Sequence, residues 1–141
     1  MEQKNKKVLL VVEDESALRH AIVEKGEKEG WEMFEARTGK EGLAQAESHK
    51  PDLVILDLVM PEMGGLEMFD KLRNEEGDWG REVPVIVLTN LSADEQITQN
   101  IARNEPAYYF VKTEWKIDDV IEKIHEVIEK EEEEQPEGQE E

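Results

Sequence analysis

The sequence contains no cysteine. Disulfides, thiol nucleophiles and cysteine-ligated zinc are therefore excluded, and the absence fits a reducing compartment. Long apolar runs are also missing: none approaches the roughly 18 to 20 residues needed to cross a bilayer. The stretch Met1 to Lys7 is polar and lacks the apolar segment of a secretion signal. Positive charge is scarce, with 17 Lys and Arg against 36 Asp and Glu and a formal net charge of −19. A field of that sign repels polyanions, so no nucleic-acid partner is expected. These absences lead to the expectation of a soluble, cytoplasmic protein with no membrane association.

The 141 residues fit one domain with a sizeable core. Residues 1–6 read as a polar lead-in, 7–130 as the domain and 131–141 as an acidic, disordered tail. From Glu129 to Glu141 there are eight Glu and one Lys, a net −7. Val8 to Val12 is a Val-rich run of the kind buried on both faces of a parallel sheet. It stops at Glu13-Asp14-Glu15, where Asp14 or Ser16 can cap a helix. That helix carries Leu18, Ala21 and Ile22 on one face and then meets Gly26, which costs about 1 kcal/mol relative to Ala in a helix interior and marks an expected soft spot. Gly30 ends the helix. Trp31, Met33 and Ala36 suit an edge strand, and a second helix over 38–50 turns Leu43, Ala44 and Ala46 inward. Leu53 to Asp57 is the central strand. A third helix over 64–74 carries Leu66, Met68, Phe69 and Leu72. Residues 75–82 read as a polar loop holding Trp79, and 83–88 as a fourth strand. Ser92 and Glu95 form a capping box for a lightly packed helix. Tyr108 to Val111 is the fifth strand. Ile117, Val120, Ile121, Ile124, Val127 and Ile128 then fall on one helical face.

Five strands alternating with five helices predict an α/β fold, a parallel sheet covered on both faces. One edge of that sheet then gathers Glu13, Asp14 and Asp57, with Thr89 and Lys112 ending the last two strands. Three crowded carboxylates are unfavourable unless a cation or proton relieves them, and oxygen donors of this kind suit Mg²⁺. An ammonium at Lys112 and a hydroxyl at Thr89 around one carboxylate can stabilise a phosphoryl group in transfer, with Asp57 as the nucleophile. Taken singly, each residue has a plainer reading. Asp57 alone is more often a cap or turn former, Thr89 a strand-end cap and Tyr109 a core residue. The run from Met60-Pro61 to Gly65 reads as loop geometry, Trp79 as a loop anchor, and His20, His49 and His125 as solvated.

The ordered set resembles the two-component response regulator receiver domain: Glu13-Asp14, Asp57 followed by Met60-Pro61 and Gly64-Gly65, then Thr89, Tyr109 and Lys112. The resemblance covers about Lys7 to Glu129. It implies a doubly wound, flavodoxin-like (βα)5 fold with strand order 2-1-3-4-5. It also implies Mg²⁺ bound directly by Asp14, Asp57 and the backbone carbonyl of Val59, with Glu13 acting through water. Asp57 would be phosphorylated by a histidine kinase or phosphotransfer protein. Thr89 would swing toward the phosphoryl group and Tyr109 would rotate inward behind it. The chain departs from the family pattern at Glu13, where Asp is commoner, at Asn90, where a small residue is usual, at Thr113 after Lys112, where Pro is usual and forms a cis peptide, and at Gly26, where the family has Leu. Val59 and Leu91 are apolar and cannot orient water, which predicts slow self-dephosphorylation.

The expected function is a stand-alone phosphoacceptor switch, not an enzyme beyond self-catalysed phosphotransfer, and a monomer or phosphorylation-linked dimer. Its output would run through protein contacts with a downstream target. The alternative is a degenerate receiver acting as a phosphorylation-independent interaction module. A flavin carrier is disfavoured because Glu13-Asp14-Glu15 would repel the cofactor phosphate. A Mg²⁺-dependent nucleic-acid enzyme is disfavoured by Val59, where a second acid would be needed.

Overall fold

The computed structural model describes residues 6–58, 64–89, 102–111 and 116–133. Five strands, β1 (Val8–Val12), β2 (Glu32–Ala36), β3 (Leu53–Asp57), β4 (Val85–Thr89) and β5 (Tyr108–Val111), form one sheet in the order β2-β1-β3-β4-β5. Every pairing is parallel. The expected doubly wound (βα)5 order is therefore the observed one. Helices α1 (Ser16–Lys28), α2 (Gly39–His49), α3 (Gly65–Glu75), α4 (Gly77–Glu82) and α5 (Ile117–Glu133) complete the described elements. Of the helix expected between β4 and β5, only residues 102 and 103, both helical, lie within the described residues. The Ser92–Glu95 capping box lies outside them.

The inner strands β1, β3 and β4 carry uninterrupted apolar runs because both faces are covered, yet each still divides by alternation, whereas edge strand β2 is half-polar. Leu10, Val12, Val54, Leu56, Val85 and Val87 pack with Ala46 of α2 and with Met68, Phe69 and Leu72 of α3. Leu9, Val11, Leu53, Ile55, Ile86 and Leu88 pack on the opposite side with Ile22 of α1 and with Val120, Ile121 and Ile124 of α5. The face read for the last helix is the face that packs. Burying side chains of this size contributes about 1.5–3 kcal/mol each, and the central strand β3 is buried along its whole length.

Several local expectations are corrected. Neither Asp14 nor Ser16 caps α1: its N-cap is Glu15, without a side-chain cap bond. The buried stripe of α1 is Arg19, Ile22 and Gly26, while Leu18 and Ala21 are only half-buried. Gly26, read as a soft spot, also has a packing reason. The helix runs through it to Lys28, and a Cβ there would overlap the Met33 thioether of β2. Ala44 faces solvent, and Gly42 takes the inward position, where a Cβ would lie 2.8 Å from Val12 Cγ2.

Residues 77–82 form α4 rather than a loop. Gly77 makes the turn from α3 at φ +73°, a conformation that glycine adopts without strain. Gly80 lets α4 lie against the Leu72 carbonyl. Val83 buries its side chain and donates its N–H to the Trp79 carbonyl at 2.8 Å, so it ends α4 and β4 begins two residues later. Trp79 Nε1 donates to the Pro51 carbonyl at 3.1 Å, anchoring α4 to the turn before β3. Residues 131–133, read from the sequence as the start of a disordered tail, are the last turn of α5. His20 and His49 are exposed, as read, and His125 is half-buried, but each also has a neighbour. His49 stacks on Phe34 at 3.7 Å between centroids. His125 lies 2.7 Å from Glu29 and tilts against Trp31. His20 lies 3.8 Å from Glu35.

Candidate functional site

β1 and β3 are neighbours in register, Val12 beside Leu56, so the residues that follow them emerge side by side at the carboxyl edge of the sheet. Open α/β folds place ligands at this edge. Here Glu13, Asp14 and Asp57 each offer a carboxylate oxygen, and these atoms lie within 4.8 Å of one another. Glu13 and Asp57 are buried, while Asp14 is exposed. The cluster is therefore two fixed acids beneath one that reaches solvent.

Glu13 is held from three sides. Its N–H donates to the Ala36 carbonyl at 3.0 Å. Its carbonyl accepts from Arg19 Nη1 at 2.9 Å. Its Oε2 accepts from the Glu15 N–H at 3.0 Å, a bond that uses the side chain's reach to fold back over the start of α1. Asp57 is fixed by its strand and by the turn after it. The Leu58 N–H donates to the Leu88 carbonyl at 3.2 Å, and the Gly65 N–H donates to the Leu58 carbonyl at 3.1 Å. A Cβ on Gly65 would collide with the Asp57 carbonyl and lie 2.7 Å from Leu58 Cα. Glycine at that position lets α3 start directly against the acid-bearing strand end.

Asp57 pairs with Leu88, so Thr89 is the next residue along the adjacent strand, and it pairs in turn with Val111. The backbone therefore brings the end of β4 to the same edge. The Thr89 side chain, Lys112 and Val59 lie outside the described residues, as do Asn90, Leu91 and the Lys112–Thr113 peptide. Tyr109 sits on edge strand β5 with 44% of its surface exposed, which overturns its reading as a core residue. Tyr108 beside it is also exposed. The Lys123 ammonium lies 4.1 Å from the Tyr108 ring centroid. A hydrogen bond to Glu126 holds that ammonium's pKa above the usual lysine value, with burial opposing the shift.

Three carboxylate oxygens with no nitrogen or sulfur among them are the donor set of a hard divalent cation. Oxygens at about 2.0–2.1 Å from Mg²⁺ span about 4.2 Å across the ion, so the cluster has the size for one cation with water completing the shell. The arrangement thus fits Mg²⁺. The buried guanidinium beside it, Arg19, was not singled out from the sequence. Its signal was a charged residue on the stripe it shares with Ile22 and Gly26.

Comparison with known proteins agrees with this geometry. The family model of the response regulator receiver domain matches residues 9–125, and the chain belongs to that family. It is 43% identical over 86 residues to the KDP operon transcriptional regulatory protein KdpE of Escherichia coli K12, covering 61% of this chain and 36% of KdpE. It is 33% identical over 114 residues to the transcriptional regulatory protein PdtaR of Mycobacterium tuberculosis H37Rv, covering 80% of this chain and 52% of PdtaR. The chain thus spans about a third to a half of these relatives. Among solved structures, a CheY-like receiver domain protein from Methanospirillum hungatei JF-1 superposes with a TM-score of 0.82 at 27% identity, covering 92% of this chain and 99% of that one. The chemotaxis protein CheY4 of Vibrio cholerae shares the fold, with a TM-score of 0.76 at 23% identity over 86% of this chain and 98% of that one. Receiver domains are signalling switches that interact with histidine kinases or phosphotransfer proteins. No helix among the described residues is long and apolar enough to cross a membrane.

Proposed function

We propose that this chain is a phosphoacceptor switch of a two-component phosphorelay, phosphorylated at Asp57 by a histidine kinase or phosphotransfer protein. The observation that carries the reading is the buried Asp57 held within 4.8 Å of Glu13 and Asp14 at the carboxyl edge. An Asp57 carboxylate oxygen attacks the phosphorus of a phosphohistidine already protonated on its other ring nitrogen, the P–N bond breaks with its electron pair going to the nitrogen that carried the phosphorus, and neutral imidazole leaves. Asp14, Asp57 and the Val59 carbonyl would hold Mg²⁺, with Glu13 supporting the ion through water. When bound, the ion supplies charge neutralisation for the phosphoryl oxygens. Lys112 would supply an ammonium and Thr89 a hydroxyl donor to the transferred group.

Output runs through protein contacts, with Tyr109 exchanging its exposed position for an inward one as Thr89 moves. The exposure of Tyr109 in this structure supports that role. The phosphoryl group would gain no water-orienting help from Val59 and Leu91, the apolar residues two places after Asp57 and Thr89. Its lifetime is therefore long, and the double variant Val59→Asn, Leu91→Glu shortens it. A lifetime of seconds that the double variant leaves unaltered contradicts this part of the reading. Incubation with Mg²⁺ and acetyl phosphate, followed by intact mass, tests the whole. One phosphoryl adduct that Asp57→Asn abolishes supports the switch, and no adduct in the wild type supports the phosphate-independent interaction module instead.

A further inference from the structure

We infer that Arg19 is the positioning residue of the acidic edge, fixing the turn that carries Glu13 and Asp14 and tying it to the end of edge strand β2. The inference rests on the phosphoacceptor reading and concerns how that site is held in shape. Arg19 is a buried cation on α1, 6% exposed. Its Nη1 donates to the Glu13 carbonyl at 2.9 Å, and its Nε donates to Glu35 Oε1 at 2.7 Å. The Glu13 N–H is bound to the Ala36 carbonyl at 3.0 Å. Both backbone polar groups of Glu13 are thus attached to the last two residues of β2, one directly and the other through the guanidinium. The Arg19 N–H donates to the Glu15 carbonyl at 2.9 Å, so the residue also belongs to the first turn of the helix it braces. A planar guanidinium presents donors in two directions from one rigid group, whereas an ammonium is a compact point charge.

Charge and position make opposite predictions here. If Arg19 only offset the carboxylates, removing it would leave the edge more negative and Mg²⁺ would bind more tightly. If it positions the turn, removing it loosens the acids and Mg²⁺ binds more weakly, as when groups supporting metal ligands are lost. Mg²⁺ titration of the full chain by calorimetry or NMR, on the wild type, Arg19→Met, Arg19→Lys and Glu35→Gln, separates them. The expected result is a loss of about 10-fold in Mg²⁺ affinity for both Arg19 variants and a smaller loss for Glu35→Gln. The half-saturating Mg²⁺ for phosphoryl uptake should rise by the same factor, while the rate at saturating Mg²⁺ stays near that of the wild type. Arg19→Met binding Mg²⁺ as well as or better than the wild type overturns the inference, as does Arg19→Lys matching the wild type. Where Arg19→Met fails to fold, Arg19→Lys and Glu35→Gln carry the comparison. A wild type that binds no Mg²⁺ overturns the phosphoacceptor reading together with this one, whereas Mg²⁺ binding that is indifferent to Arg19 overturns this one alone.

Discussion

At the amino edge of the sheet the Arg73 guanidinium donates to the carbonyls of Asn104 at 2.7 Å, Gly80 at 2.9 Å, Val83 at 2.7 Å and Glu105 at 3.1 Å. At the carboxyl edge, Glu13, Asp14 and Asp57 bring three acceptors within 4.8 Å of one another. The first end half-buries one charge, and the second buries Glu13 and Asp57. The first surrounds one cation with backbone oxygens, so four peptide groups from α4, the approach to β4 and the approach to β5 are satisfied by one side chain. Burial pulls the Arg73 pKa below the usual arginine value and the Glu105 carboxylate pushes it back. The second sets like against like. Two unit charges about 4 Å apart repel by about 4 kcal/mol at an effective dielectric of 20, a cost that a bound cation offsets. The amino edge surrounds its charge with backbone acceptors, whereas the carboxyl edge gathers acids whose donor set suits a cation.

Removing the charge at each of the two ends should therefore move stability in opposite directions. Arg73→Met removes the donor from four carbonyls while keeping most of the bulk. It should cost about 3 kcal/mol, the scale of leaving buried polar groups unmade, read as a lower denaturation midpoint with an unchanged m-value. Gly65→Ala comes next. Its methyl group meets the Asp57 and Leu58 backbone, and overpacking of that kind costs about 1–3 kcal/mol. Because the clash is at the acid-bearing turn, phosphoryl uptake should fall with it. Asp57→Asn should do the reverse in the absence of divalent cation, raising stability by about 1–2 kcal/mol as crowding is relieved. Mg²⁺ should then stabilise the wild type far more than the variant. A wild type that Mg²⁺ leaves unchanged in the same denaturation series would break the contrast between the two ends.

Most of the fold was legible because it is written in runs and periods. Apolar segments gave β1, β3, β4 and β5, a half-polar alternation gave β2, and the i, i+3, i+4 pattern from Ile117 onward gave α5. The acids of the site were legible for the same reason: a strand end read from its apolar run fixes where the next residue emerges. What was not legible depends on partners distant in sequence. Arg73 reaches carbonyls up to 32 residues away, and nothing local distinguishes it from a solvated arginine. Arg19 takes its role from Glu35 on the next strand. Helix α4 has only Trp79 as a large apolar residue, too little to show a period. Gly26 read as a soft spot and Gly80 only as part of a loop, yet each marks a close approach by another element.

The smallest expected effect lies away from both ends. Burial raises the Glu76 pKa, and a hydrogen bond and charge repulsion from Glu47 add to it, with Lys50 opposing. A carboxyl group whose pKa is higher folded than unfolded disfavours the fold above both values, and that penalty is relieved as pH falls through the folded value. Glu76→Gln should therefore stabilise the chain slightly at neutral pH and not at all in acid, seen as a convergence of the two denaturation midpoints on acidification.

The central claim is that the crowded carboxylates exist to load a phosphoryl group onto Asp57. The most direct measurement is borohydride trapping after incubation with Mg²⁺ and acetyl phosphate, followed by peptide mass spectrometry, since reduction of an aspartyl phosphate leaves homoserine at the modified position. The account predicts homoserine at position 57, absent when Mg²⁺ is chelated. Trapping at Asp14 or Glu13 instead, or none at any position, would contradict it.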